Sequence, residues 1–270
     1  MSRYLKAELF RISKSKSALI SLFLIPAFIL INFVIGYKNG NVVMTTNQPI
    51  GSDFIMIIGE ALQAFIPFIL IIPIYATINK EINEHGMEKA LESGIRPVSI
   101  YLSKFISIVI IGIIYSIAMA IVISIIPMTM GYSFNDCLNI LENILKVISI
   151  EFIPILSLIS IYLLLIFVFK NEVISLITYI ILIGPIDKIL LFMEKITRIK
   201  NLSLISNYIP NKLMYKLPLA FDFKETTSLF GREMAAIPSV YIICTVYTIV
   251  LLGIGISLFS KRKVEGIWSI

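Results

Sequence analysis

The sequence predicts an all-α integral membrane protein with six transmembrane helices, and three observations lead there. Of its 270 residues, 58% are hydrophobic and only 15% charged; a soluble domain averages roughly 45–50% and about 25%. The apolar excess falls in long uncharged runs, of the length that carries a helix across a bilayer, about 20 residues. The polar residues gather in short segments between those runs. Residues 1–270 are therefore read as a single transmembrane domain. It has an interfacial helix at its N-terminus, a short charged helix between spans two and three, and a helical segment between spans five and six.

Residues 1–16 carry Arg3, Lys6, Arg11, Lys14 and Lys16, with Leu5, Leu9 and Ile12 at helical spacing. A basic amphipathic helix of this kind lies in the headgroup region of a membrane. The first span is 17–37. A signal peptide would have a shorter apolar region and a small-residue cleavage site; GYKNGN follows Ile35 instead, so the span is read as uncleaved. A turn-rich loop leads to the second span, 54–78, whose one charge is Glu60. A polar segment, 79–104, separates it from the third span, 105–128. A loop around 131–143 precedes the fourth span, 147–169, which carries Glu151 near its start. Lys170, Asn171 and Glu172 make a tight turn into the fifth span, 173–193. That span is interrupted by Gly184, Pro185, Asp187 and Lys188, so it is short, kinked, or leads into a re-entrant or interfacial piece. Residues 194–236 form the largest non-membrane piece. Their aromatic and apolar residues, such as Tyr208, Leu213 and Tyr215, favour surface helices over disorder. The sixth span is 237–259, followed by Lys261, Arg262 and Lys263.

The 79–104 segment has a pattern of its own. Glu81, Glu84, Glu88 and Glu92 fall at i, i+3, i+7 and i+11, so they share one face of a helix. Met87, Ala90 and Leu91 occupy the adjoining face. Gly94 is a natural C-terminal stop, and Pro97 disfavours helix at Arg96. The expected object is a short amphipathic helix at a membrane surface. A solvated linker is the plain alternative, because charge runs usually are solvated faces.

Five basic residues precede the first span, and Lys38 alone follows in the next loop. Charge near the first span dominates orientation. The N-terminus is therefore expected in the cytoplasm. Six spans then place both termini and the 79–104 segment on that side of the cell membrane. The long 194–236 segment falls outside, although its basic residues argue the other way. The formal charge of +6 fits anionic headgroups more simply than nucleic acid.

Several chemistries have no residues to carry them. There is no G-x-x-x-x-G-K-[ST] phosphate loop and no H-E-x-x-H. The single histidine, His85, cannot form a multi-histidine metal site, and Cys137 and Cys244 are expected at different depths, unpaired. No catalytic constellation emerges, so the chain is not read as an enzyme. Glu60 and Glu151 are ionisable groups inside apolar runs, costly there and hence functional candidates. Both are expected near the outer ends of their spans, lining a vestibule on a substrate path.

Taken together, the basic amphipathic N-terminus, six spans, the charged helix between spans two and three and the long segment between spans five and six resemble the permease subunit of a type-2 ABC exporter. The local match is EINEHGMEKALESGIRPVSIYLSK, where Glu81 or Glu84, Gly86, Leu91, Pro97, Ser99 and Lys104 take the places of that family's motif. Met87 stands where a threonine is usual, and Arg96 precedes the proline that an arginine usually follows. The tail SLFSKRKVEG resembles the family's F-x-x-K/R-D-V ending, without its aspartate. The resemblance covers the topology of the whole chain and is specific over the one segment. It implies a dimer with a second permease copy or a related permease, above separate cytosolic ATPase subunits. Those subunits, not this chain, would bind ATP and Mg. The helix 81–93 would be the coupling helix, with Met87 and Leu91 as apolar anchors and Glu81, Glu84, Glu88 and Arg96 as polar contacts. Small bacterial permeases of this kind often export, or protect against, bacitracin, lantibiotics and other antimicrobial peptides. A secondary transporter, or a membrane-embedded immunity protein that binds without pumping, remains the alternative; a broken helix would favour the former.

Overall fold

The computed structural model describes residues 2–14, 86–129, 133–169, 171–197, 199, 202–217, 226–229 and 232–264. The expected first two spans lie outside them, as do Glu60, Glu81 and Glu84. What is described is mostly helical.

Helix α1 (Ser2–Ser13) turns Glu8 and Ile12 inward and leaves Lys6, Phe10 and Lys14 exposed. Helix α2 spans Gly86–Glu92. It ends at Gly94, whose φ of +85° is the left-handed conformation that glycine adopts without strain. The Gly94 amide donates to the Leu91 carbonyl at 3.0 Å and the Ile95 amide to Ala90 at 3.2 Å. These two bonds are a Schellman closure of the last turn. Helix α3 (Pro97–Thr129) follows immediately. Its first residue is a proline, whose missing N–H is harmless at that position. The third span was expected from 105; the helix begins at Pro97 and so takes Lys104 into its first turns.

Helix α4 (Phe134–Phe169) also starts earlier than the expected 147. The loop expected over 131–143 is mostly helix. Ser133 and Asp136 form a capping box: the Ser133 amide donates to Asp136 Oδ2 at 3.1 Å, and the Asp136 amide to Ser133 Oγ at 3.2 Å. Cys137, Ile140, Ile144 and Val147 then form a buried stripe at helical spacing. The 36 residues of α4 make a helix of roughly 54 Å, well beyond a hydrocarbon core of about 30 Å.

Asn171 caps helix α5 (Glu172–Ile183), its side chain accepting from the Ile174 amide. Helix α6 (Ile186–Thr197) is bent by 78° from α5. The interruption expected in the fifth span is therefore a break at Gly184–Pro185. Proline cannot donate the bond that would continue the helix, and the Gly184 amide ends the ladder on Ile180 at 2.9 Å.

The 194–236 segment is only partly helical. It holds a 3-10 helix (Leu202–Tyr208), helix α7 (Pro210–Met214) and an antiparallel hairpin of β1 (Thr226–Leu229) and β2 (Arg232–Ala235). The hairpin departs from the all-α expectation. Its outer pair, Thr226 opposite Ala235, delivers the chain directly into helix α8 (Ala236–Val264).

Among the described residues, three helical stretches are long and apolar enough to cross a membrane: Pro97–Ile125, Phe134–Phe169 and Ala236–Ser260. The bent α5–α6 pair makes a fourth if counted as one span. They pack around α4. Tyr101 of α3 meets Phe167 at 4.9 Å between ring centroids, and Phe259 of α8 meets Phe167 at 5.0 Å. Further along, the Tyr241 hydroxyl donates to the Ile150 carbonyl at 2.8 Å. The two contacts keep one register, so α8 runs parallel to α4. Helix α5 runs antiparallel to it, with Tyr162 and Tyr179 4.8 Å apart and Ser175 Oγ donating to Leu165 at 3.2 Å. Without water, helices associate by close packing, which favours small residues at contacts. Ser157 and Ser160 of α4 are fully buried and donate to their own helix's carbonyls at 2.7 Å, so they act as small residues. Gly255 of α8 lies against Tyr101, and a Cβ there would collide with the tyrosine hydroxyl.

Candidate functional site

The segment singled out in the sequence is built into the foot of α3. Three pieces meet there. The first is α2, whose Ala90 and Leu91 are 8% and 9% exposed. The second is α1, which brings Ile12 into the same buried cluster. The third is the start of α3, with Ile100 and Tyr101 fully buried. Leu91, expected as an outward anchor, is thus committed to its own chain. The residues that α2 and its flank present outward are Lys89, Glu92 and Arg96, all exposed. Met87 and Glu88 lie within α2, but their side chains fall outside the described residues.

Beneath this cluster lies a buried ionic group. Glu8 of α1 is 3% exposed and Lys104 of α3 is fully buried. Lys104 Nζ donates to Glu8 Oε2 at 2.8 Å, and so does Arg11, also at 2.8 Å. The carboxylate offsets the Lys104 charge, which would be expensive alone in a low-dielectric site, and the partly exposed Arg11 adds a second bond to the same oxygen. The arrangement fixes the angle and register of α1 against α3. Sequence reasoning missed it, because the partners are 96 residues apart. One signal was present: Glu8 is the single acid on a basic helix, and Lys104 sits at the edge of an apolar run.

Glu151 stands elsewhere, midway along α4, and is fully buried. Its buried side chain does not open to water among the described residues, and the helix that carries it begins well before it, at Phe134. The end of the fold away from α1 and α2 closes over its surroundings. Ile150, Leu213, Leu217, Leu229, Ile237 and Val240 form a second buried cluster there. Burial, with the Glu151 charge behind it, raises the pKa of the Tyr215 hydroxyl above its ordinary value. Asn211 Nδ2 donates to the Ile183 carbonyl at 2.8 Å, covering an acceptor left open by the α5–α6 break. Between α3 and α4 runs an apolar groove of about 380 Å³, lined by Val109, Ile113, Ser116, Ile148, Phe152 and Ile155 among others. Among the described residues, no group of acids, histidines and cysteines could hold a metal ion.

No protein-family profile, no curated protein and no solved structure matches this chain. What the sequence and fold define together is a mostly helical protein with apolar helices long enough to cross a membrane.

Proposed function

We propose that this chain is the membrane-spanning subunit of an ATP-driven exporter of the ABC type, energised by a separate cytosolic ATPase. Its substrate class is hydrophobic or amphipathic, with antimicrobial peptides the leading candidates. The observation that carries this reading is the foot of α3. A short helix with an exposed charged edge (Lys89, Glu92, Arg96) is locked by Leu91 to the start of a span. A second helix is locked to the same span by Glu8 and Lys104. A push on α2 is thereby delivered to α3 with little slack, as a chain without an energy-converting site of its own requires. A hydrophobic substrate also suits the apolar groove beside α4. The ATP and Mg belong to the partner.

The test is a mild-detergent pull-down of the tagged protein from its native membranes, with ATP hydrolysis assayed on the eluate. A variant carrying Lys89→Glu, Glu92→Lys and Arg96→Glu is run beside it. Leu91 is left intact, since shortening it would loosen the fold rather than the docking face. Co-elution of an ATPase with the parent and its loss from the variant is the expected result. If no ATPase elutes while the protein stays oligomeric, the reading fails.

A second reading has one observation in its favour. Secondary transporters place substrate and ion sites where helices break within the membrane, and the α5–α6 pair is broken by 78°. On that reading transport follows an ion gradient, survives ATPase loss, and fails on replacement of Glu151.

A further inference from the structure

Helix α6 carries four charges, placed symmetrically about its centre and opposite in sign when the order is reversed. Asp187 and Lys188 stand four and three residues before Leu191; Glu194 and Lys195 stand three and four residues after it. Residues at i±3 and i±4 surround a helical position on one face, so the four charges ring Leu191. Leu191 itself is 47% exposed at the centre of this polar face. An apolar residue is out of place there if the face looks only at water. It is well placed at the centre of a helix pair.

Two copies of α6 laid antiparallel, with a two-fold axis through Leu191, set Asp187 opposite Lys195 of the other copy and Lys188 opposite Glu194. Every charge then meets its opposite. A parallel pairing sets each charge against its like, which is repulsive at all four positions. The bend supplies the second, independent condition. Copies of a membrane protein inserted the same way can be related only by an axis along the membrane normal. A helix along that axis pairs parallel; a helix across it pairs antiparallel. Helix α5 packs antiparallel along α4, and α6 leaves it at 78°. It therefore lies nearly across the spans, in the orientation that the charge order needs.

We propose that α6 is an isologous dimerisation helix whose partner is a second copy of this same chain. Lys188, Leu191 and Lys195 are exposed for it. Asp187 is 43% exposed and now sits 3.5 Å from Lys212, a long contact that a closer lysine across the axis replaces. In or near a bilayer, charged groups face a cavity or one another, and closed two-fold pairing is the commonest way for a chain to meet itself. This extends the transport reading, on which it rests for its biological use. The assay of pairing needs neither ATP nor substrate, so its failure leaves the ATPase question standing.

The experiment uses the full chain in native membranes and in lipid nanodiscs. Leu191→Cys is oxidised with copper-phenanthroline and compared with Met193→Cys on the opposite face. A dimer band at 191 and none at 193 is expected; no band at 191, or equal bands at both, overturns the proposal. The second arm changes the charges. One copy carries Lys188→Glu and Lys195→Glu, the other Asp187→Lys and Glu194→Lys, under different tags. Each alone loses the dimer, and the two expressed together recover it by co-purification, which also shows that both fold. An acidic copy that still dimerises alone, or a mixed pair that stays apart, overturns it.

Discussion

Glu8 and Lys104 make the sharpest residue-level expectation. Removing one partner strands a buried charge, which costs about 3–5 kcal/mol, whereas replacing both by apolar residues of similar size is often neutral. Glu8→Gln, which strands the buried Lys104, is expected to lower the thermal unfolding temperature in detergent strongly, Lys104→Met, which leaves Glu8 its bond from Arg11, by less, and Glu8→Leu/Lys104→Met, with the partly exposed Arg11 reaching solvent, to lie close to the parent. Additive losses in the double variant would argue against the buried pair. Gly255 gives a steric counterpart. Tyr101 is wedged between Phe167 and Phe259 and cannot swing aside cheaply. Gly255→Ala is expected to destabilise by roughly 1–3 kcal/mol, the usual range for overpacking, and Gly255→Ala with Tyr101→Phe by less, as the same unfolding assay reads. Tyr215 reports on Glu151: with Glu151→Gln, its spectroscopic titration midpoint is expected to fall toward the ordinary tyrosine value, because the nearby charge is gone. An unmoved midpoint would separate the two groups.

At the scale of elements, the stop of α2 can be tested without disturbing packing. A Cβ at Gly94 meets nothing within 4 Å, so the cost of Gly94→Ala is backbone strain alone, on the order of 1 kcal/mol. The expected outcome is faster amide exchange across α2 with α3 unchanged. The end of this element was legible in the sequence at Gly94, and Gly184–Pro185 marked the interruption after α5; Pro97 was read only as excluding helix at Arg96, and the helix that starts there was expected from 105. The start of α4 was legible in principle. Ser133-x-x-Asp136 is a capping box, and the stripe from Cys137 to Val147 has helical period. The polar residues scattered between, Asn139, Glu142 and Asn143, hid it as a loop. The hairpin carried almost no local signal. Its second strand, Arg-Glu-Met-Ala, has no β-branched or aromatic residue, and pairing rather than propensity holds it. Leu91 was recognised as an anchor, but sequence cannot say which surface an apolar residue is anchored to.

For the molecule as a whole, orientation is the open expectation, and the five basic residues before the first span predict a cytoplasmic N-terminus. Ser93 and Asn135 are both exposed and lie at opposite ends of α3. In sealed cells, Asn135→Cys is expected to react with a membrane-impermeant maleimide and Ser93→Cys only after lysis, with Cys137 and Cys244 silent because both are buried. The reverse pattern would invert the topology and move α2 away from any cytosolic ATPase.

The position of α4 has a mechanical consequence. In its most apolar stretch 56% of residues are buried, against 17% for α8, and α3, α5, α7 and α8 all lean on it. A body held on so many sides is the stator of any cycle this protein performs. The rotors are the pieces that, among the described residues, rest on other elements than α4: α1 and α2 on α3, and α6 on the 3-10 helix. Spin labels paired within α4 should therefore keep one distance throughout turnover, while a label on α6 measured against α4 should show two.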